Sequence, residues 1–162
     1  MVSVTLTPQE MMMAAYAGTR RAIASIQKGR QPAYGCTEIW GTHIEGAAGE
    51  MAFAKAAGIY WDAAFDTFSK PDVGSFQVRT RSRSDYELLV RQCDADDERF
   101  VLVTGTMPEF SVRGWILGAD AKQERWLRTH GGRPPAYFVP HSELQPIEKI
   151  FDPTVARLSK AG

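Results

Sequence analysis

The order of apolar and polar residues predicts two long helices in the first third of the chain. Thr7-Pro8-Gln9-Glu10 has the sequence of a capping box with proline at the first helical position, and it begins a predicted helix over 8–28. Thr42-His43-Ile44-Glu45 repeats the capping-box pattern and begins a second predicted helix over 42–57. The residues between them, 29–41, lack periodicity and are expected to form a loop.

The second predicted helix carries two glycines in its interior, Gly46 and Gly49. An interior glycine costs a helix about 1 kcal/mol relative to alanine. Close approach of another backbone is the usual reason for such glycines, so we expect a tightly packed neighbour beside this helix.

Strand patterns dominate the rest of the chain. In the segment 73–80, Phe76 and Val78 point to one side and Gln77 and Arg79 to the other. Short apolar or alternating runs predict further strands over 59–68, 86–92, 100–104, 110–117 and 136–139. A third helix is predicted over 119–127 and a helical turn over 142–147.

This order of elements indicates an α/β fold, a mixed sheet with helices packed on it. We place one domain at 1–150, with its core at about 42–147, and expect the tail 151–162 to be loosely held. Phe76 and Trp115 are expected to be buried in the sheet.

Composition excludes several classes of protein. The chain has 162 residues, of which 44% are hydrophobic and 23% are charged, and this composition is typical of a globular protein. It lacks an apolar run long enough to cross a membrane, and its first residues do not form a signal peptide. Cys36 and Cys93 are isolated, which favours free thiols in a reducing cytoplasm. Because the formal net charge is zero, any nucleic-acid binding requires a local basic patch.

Candidate chemistry is concentrated around the predicted strand 73–80. Asp72 stands at its entrance, and Gln77 and Arg79 share one face about 6.6 Å apart. Glu50 lies upstream in the glycine-rich helix. Mg²⁺ is commonly held by one or two carboxylates with waters and substrate phosphates, and a nearby cation can stabilise negative charge on a phosphate. The pattern therefore favours a site for a metal ion and a phosphate.

These residues resemble the PD-(D/E)XK nuclease superfamily. The resemblance rests on the helix 46–53, on Pro71-Asp72 and on Gln77-Val78-Arg79, and it covers about 42–140. It is closest to small phage or prophage members, in which a Gly-Trp-Ile strand follows, here Gly114-Trp115-Ile116. The resemblance implies a restriction-endonuclease-like mixed sheet flanked by helices, here preceded by an extra N-terminal helix.

The resemblance also implies a function, a deoxyribonuclease that depends on Mg²⁺ or Mn²⁺. Asp72 would be the main metal ligand, and Glu50 would bind the metal directly or through water. Gln77 takes the place of the second acidic ligand and Arg79 that of the lysine. Because glutamine is neutral, the metal should bind more weakly than in the usual motif. Arginine stays protonated, so Arg79 can stabilise charge but cannot act as a general base.

Positive residues exceed negative ones in two segments, 75–93 and 111–133. Arginine predominates in both, which suits contacts with DNA phosphates. We expect the basic residues of 111–133 to flank the same cleft as Asp72. The candidate DNA-binding residues are Arg81, Arg83, Arg113, Arg125 and Arg128.

Other interpretations remain open. Asp72 can be an ordinary turn residue, Glu50 a solvated helix residue, and Gln77 with Arg79 an exposed strand face. The departures at Gln77 and Arg79 also suit a non-catalytic member of the same fold that binds nucleic acid or serves in phage assembly. His43, at the start of its helix, could approach the site. A homodimer is left open.

Overall fold

The computed structural model describes residues 1–29, 39–64 and 70–151, and two long helices cover much of its first third. Helix α1 spans Pro8–Gln27 and begins at the predicted capping box. There the Glu10 backbone N–H donates to Thr7 Oγ1 at 3.3 Å, and the Thr7 N–H donates to Glu10 Oε2 at 2.7 Å. The predicted limits of this helix are confirmed to within one residue.

Helix α2 spans Ile39–Ala57 and begins three residues before its predicted start. The second capping box is therefore wrong, because Thr42 and Glu45 lie inside the helix, where backbone N–H groups belong to the helical ladder. The Glu45 carboxylate accepts a backbone hydrogen bond from Met107 instead. This residue thus joins α2 to a distant turn rather than capping its own helix.

The strands form two sheets. In the described residues the strands are β1 (Val2–Thr5), β2 (Phe76–Arg81), β3 (Leu88–Arg91), β4 (Arg99–Thr106), β5 (Glu109–Leu117), β6 (Leu127–Arg128) and β7 (Ala136–Val139). The main sheet has the order β1-β5-β4-β2, in which β2 runs parallel to β4 and the other pairs are antiparallel. The small sheet is antiparallel, with the order β3-β7-β6.

Strand β4 is apolar on both faces because each face of the main sheet is covered. Val101 and Val103 belong to the core shared with α1 and α2, whereas Phe100 and Leu102 pack with the small sheet. Phe76 and Trp115 are each 3% exposed, which confirms their predicted burial. The fold is therefore mixed α/β, as predicted. No helix in the described residues is both long and apolar enough to span a membrane.

Some predicted elements are wrong. Residues 59–64 form neither helix nor strand, while 65–68 and most of the predicted loose tail lie outside the described residues. The predicted helix 119–127 is divided into the four-residue α3 (Gly118–Ala121) and a 3-10 turn at Glu124–Trp126.

The chain leaves the helical conformation at Lys122, whose ammonium donates to the carbonyl oxygens of Gln92 and Asp94. The backbone N–H groups of Gly118 and Ala119 donate to the carbonyl oxygens of Glu98 and Asp96, which tie α3 to the preceding loop. Gln123 then adopts an extended conformation. Strand β1, which the sequence pattern did not predict, is held by its pairing with β5.

The close backbone approach expected at α2 occurs at Gly18 of α1. A Cβ there would lie 2.5 Å from Ile44 Cα and 2.7 Å from the His43 carbonyl oxygen. At Gly49 a Cβ would meet the side chain of Thr80 on β2, 2.0 Å from its Oγ1, whereas at Gly46 nothing lies within 4 Å. The expectation is thus wrong for Gly46, and Gly49 brings α2 against the strand that carries the candidate site.

The glycine contacts predict opposite effects for two alanine substitutions. We expect Gly18→Ala to lower the free energy of unfolding by about 1–3 kcal/mol or more, because its methyl group pushes α1 away from α2. Gly46→Ala should raise it by about 0.5–1 kcal/mol through better helix propensity. Urea unfolding of both variants measures the difference. Equal stability of Gly18→Ala and the unsubstituted protein would contradict the helix contact.

Candidate functional site

A cleft of about 520 Å³ opens beside the edge strand β2 and contains most of the predicted site. We call it the Asp72 cleft. Its lining combines α1, the start of α2, the entrance and face of β2, and the turn after β3. The lining residues with titratable or amide side chains are Arg21, His43, Lys70, Asp72, Gln77, Arg79, Arg91, Cys93, Asp94 and Glu98. Asp72, Gln77 and Arg79 therefore lie together, as predicted.

Asp72 is held by a tight turn at the entrance of β2. Its backbone N–H donates to the Phe76 carbonyl oxygen at 2.9 Å, and Gly74 supplies the positive φ of +60° within the turn. The carboxylate oxygen Oδ2 accepts the Val78 backbone N–H at 2.7 Å. Asp72 is thus a turn residue, which was one of the two interpretations of the sequence, and its side chain also lines the cleft.

The environment of Asp72 opposes its negative charge. Burial, followed by the nearby carboxylate of Glu50, raises the pKa of Asp72 to about 6. The Val78 hydrogen bond and the positive charges of Arg79 and Arg21 act in the opposite direction but do not cancel this effect. Asp72 is therefore mainly ionised at pH 7 and mainly protonated at pH 5.

Glu50 lies beneath the cleft and is 5% exposed, so its interpretation as a solvated helix residue is wrong. Arg21 of α1 donates hydrogen bonds to both carboxylate oxygens of Glu50, from Nη1 to Oε1 at 2.5 Å and from Nη2 to Oε2 at 2.8 Å. The indole Nε1 of Trp61 also donates to Oε2, at 3.0 Å. Arg21 further donates to the Ala64 carbonyl oxygen from Nε and Nη2, at 3.0 and 2.8 Å.

Sequence reasoning missed Arg21 and Trp61 as members of the site. Arg21 follows Ala14, Ala17 and Gly18 on the inward face of α1, and a charged residue on such a face needs a buried partner. That periodicity is the signal that could have identified it. Trp61 lies in a segment without regular structure, and no comparable pattern marks it.

Gln77 and Arg79 are half-buried on the cleft face of β2, so the exposed-face interpretation does not describe them. Gln77 Nε2 donates to Glu98 Oε1 at 2.9 Å, which leaves the Gln77 amide oxygen as an acceptor. Arg79 Nη2 pairs with Asp94 Oδ2 at 3.0 Å, and its guanidinium lies 5.1 Å from the centre of the Phe100 ring. Arg79 Nε is buried without a hydrogen-bond partner in the described structure.

His43 also lines the Asp72 cleft, as the sequence allowed. Burial, together with the positive charge of Arg21, lowers the pKa of His43. The imidazole is therefore neutral at pH 7 and can accept a hydrogen bond or a proton on one ring nitrogen.

The oxygen atoms of the cleft offer a limited set of metal ligands. Among the described residues, no group of three His, Cys, Asp or Glu side chains could hold a metal ion. Two oxygens suit a hard cation: Oδ1 of Asp72, which accepts no hydrogen bond from the described residues, and the amide oxygen of Gln77. Glu50 adds negative charge close to Asp72. A cation held by these two oxygens would have to keep several waters or phosphate oxygens as its other ligands.

The candidate DNA-binding arginines lie elsewhere. Among the described residues that line the Asp72 cleft, the positive side chains are Arg21, Lys70, Arg79 and Arg91. Of the basic residues in 111–133, Lys122 reaches the edge of this cleft, where it donates to the Asp94 carbonyl oxygen. Ion pairs hold three of the candidates, Arg83 with Asp85, Arg125 with Glu143 and Arg128 with Glu87. Arg113 donates to Thr104, and Arg81 stacks on Tyr86. Their contact with DNA stays a prediction.

Comparison of the chain with protein-family models, curated proteins and solved structures finds no match.

The raised pKa of Asp72 predicts that its charge destabilises the fold. Protonation favours the folded state, so the contribution of Asp72 to stability falls as the pH rises from about 4 to about 6. We expect Asp72→Asn to be more stable than the unsubstituted protein by about 1–3 kcal/mol at pH 7.5. This difference should shrink towards pH 4, where both side chains are neutral.

Urea unfolding at several pH values tests this expectation. Asp85→Asn is the matched control, because Asp85 is exposed and its hydrogen bond with Arg83 lowers its pKa. That variant should show no gain at pH 7.5. An Asp72→Asn variant without extra stability at pH 7.5 would refute the electrostatic description of the cleft.

Proposed function

We propose that the chain is a metal-dependent deoxyribonuclease of the PD-(D/E)XK type, from a phage or prophage and active in the cytoplasm. A restriction-endonuclease-like arrangement of the mixed α/β fold is part of this proposal. The observation that carries it is the state of Asp72. Its carboxylate lies in a cleft beside Glu50, with its pKa raised to about 6, and a divalent cation would relieve the repulsion between the two.

Asp72 Oδ1 and the Gln77 amide oxygen would hold Mg²⁺ or Mn²⁺, with Glu50 contributing charge from beneath. A cation at this place supplies an activated water and stabilises negative charge on the attacked phosphate. Lys70 and Arg91 line the same cleft and can bind DNA phosphates. Arg79 lies beside them and stabilises negative charge, while Asp94 keeps its guanidinium in position.

A second candidate function is a non-catalytic member of the same fold, which binds nucleic acid or serves in phage assembly. The hydrogen bonds of Glu50 favour it. Arg21 and Trp61 donate three hydrogen bonds to the two carboxylate oxygens of Glu50, which leaves one acceptor position, on Oε1, for a metal ion. Such a protein keeps the basic groups of the cleft for phosphate binding but lacks the charge needed to retain a cation.

Cleavage of linear and circular DNA in Mg²⁺ or Mn²⁺ distinguishes the two functions. Asp72→Ala should abolish cleavage, because it leaves Glu50 as the one carboxylate assigned to the cation. Gln77→Glu adds an anionic oxygen at nearly constant shape, so cleavage should need less metal. Mn²⁺ should support more activity than Mg²⁺, because it accepts mixed ligands more readily.

Asp85→Ala is the control for these variants, since Asp85 is exposed and pairs with Arg83 away from the Asp72 cleft. It should cut DNA like the unsubstituted protein. If neither the unsubstituted protein nor Gln77→Glu cuts DNA with any metal while both bind it, the non-catalytic function replaces the enzymatic one.

The salt dependence of DNA binding locates the DNA on the protein. Lys70→Gln combined with Arg91→Gln should flatten the slope of log K against log salt by about 1–2 units, because two phosphate contacts are lost. Arg125→Gln combined with Arg128→Gln is the comparison pair, and we expect a smaller change because neither arginine is among the residues that line the Asp72 cleft. A larger change in the comparison pair would move the DNA to that surface.

A further inference from the structure

Helix α1 turns its small residues inward and its large apolar residues outward. The inward residues are Ala14, Ala17, Gly18 and Ala22, which are buried and bring α1 close to α2. The outward residues are Met12, Met13, Tyr16, Ile23 and Ile26, exposed by 64, 53, 64, 43 and 47%. The inward contacts with α2 therefore leave the apolar outer face of α1 uncovered by the described structure.

Four of these side chains form one continuous stripe, Met12, Tyr16, Ile23 and Ile26, which we call the α1 stripe. At 100° per residue they fall within an arc of about 80°, and they extend over about 21 Å of helix. Single exposed apolar residues need no explanation, but an aligned set of this length is typical of a protein interface. Methionine and tyrosine are enriched in such interfaces.

The residues of the α1 stripe are spaced almost symmetrically about Thr19, so reversing the direction of the helix leaves their spacing nearly unchanged. Met12 and Ile26 each lie seven residues from Thr19, and Tyr16 and Ile23 lie three and four residues from it. An antiparallel copy of α1 would therefore place Met12 against Ile26 and Tyr16 against Ile23 at both ends. Opposed helix dipoles also favour this direction.

Size and charge are compatible with a second copy as the occupant. The exposed parts of the four side chains in the α1 stripe amount to on the order of 400 Å² per chain. With Met13, which lies beside the stripe, two chains reach about 1,000 Å², the lower limit for a specific interface. The formal net charge of zero means that two copies do not repel each other as whole molecules.

We propose that two copies of this chain form a dimer by packing their α1 stripes antiparallel about a two-fold axis near Thr19. Arg21 lies on the opposite, inward side of the same helix, so the dimer leaves its contact with Glu50 intact. The proposal does not depend on nuclease activity.

Sedimentation of the full-length chain tests the dimer. At roughly 100 µM, well above the micromolar dissociation constant that an interface of this size supports, we expect a dimer. Ile23→Glu should make it monomeric without unfolding it, because the side chain is exposed. Tyr60→Glu is the matched control, since Tyr60 is an exposed aromatic residue outside α1, 86% exposed, and should leave the dimer unchanged. A monomeric wild type, or a dimer that survives Ile23→Glu, overturns the proposal.

Cross-linking tests the axis. Thr19→Cys should form a disulfide-linked dimer under mild oxidation, because residues facing each other at a two-fold axis can approach within disulfide range. The wild type under the same oxidation controls for its own two cysteines. A dimer sensitive to Ile23→Glu but without this cross-link overturns the antiparallel arrangement. A monomer that sediments with phosphatidylglycerol vesicles would assign the stripe to a lipid surface and also overturn the dimer.

Discussion

The buried ion pair between Arg21 and Glu50 is the interaction on which the site depends. It joins α1 to α2, and through Ala64 and Trp61 it also fixes the chain that leaves α2. Removing one partner of such a pair is far more costly than its net stabilisation suggests, because the other charge stays buried. The same pair keeps a carboxylate beneath the cleft, and that carboxylate helps to raise the pKa of Asp72. Helix α1 therefore serves the electrostatics of the site as well as the packing of the fold.

Elements with strong local signals could be predicted from the sequence. The capping box at Thr7 sets the start of α1, alternation around Val78 sets the buried face of β2, and β7 has its predicted limits, Ala136–Val139. The helix predicted over 119–127 was wrong because the chain leaves the helical conformation at Lys122 and Gln123, where the Lys122 ammonium donates to the carbonyl oxygens of Gln92 and Asp94. Strand β1 was missed for a related reason, since its edge position is defined by a partner more than a hundred residues away.

The candidate site could likewise be predicted from the sequence only in part. Asp72, Gln77 and Arg79 lie within eight residues, so the geometry of one turn and one strand was enough to predict that they share a cleft. Their partners could not be predicted locally. Glu98 is 21 residues from Gln77 and Asp94 is 15 residues from Arg79, and both depend on how the loop after β3 packs against β2. A motif thus identifies the residues of a site, while tertiary packing determines their charge state.

The loop after β3 also contributes to the charge of the Asp72 cleft. Under the proposed function, the neutral Gln77 stands where an acidic residue is expected and makes the cleft less negative by one charge, whereas Arg79 keeps the positive charge of the expected lysine. Glu98 and Asp94 bring two carboxylates to these same side chains, one to the amide of Gln77 and one to the guanidinium of Arg79. Each of these two side chains of β2 thus has an acidic partner in the neighbouring loop. Under the proposed function, the charge of the whole cleft, more than the identity of the residue at position 77, would determine whether a cation is retained beside Asp72.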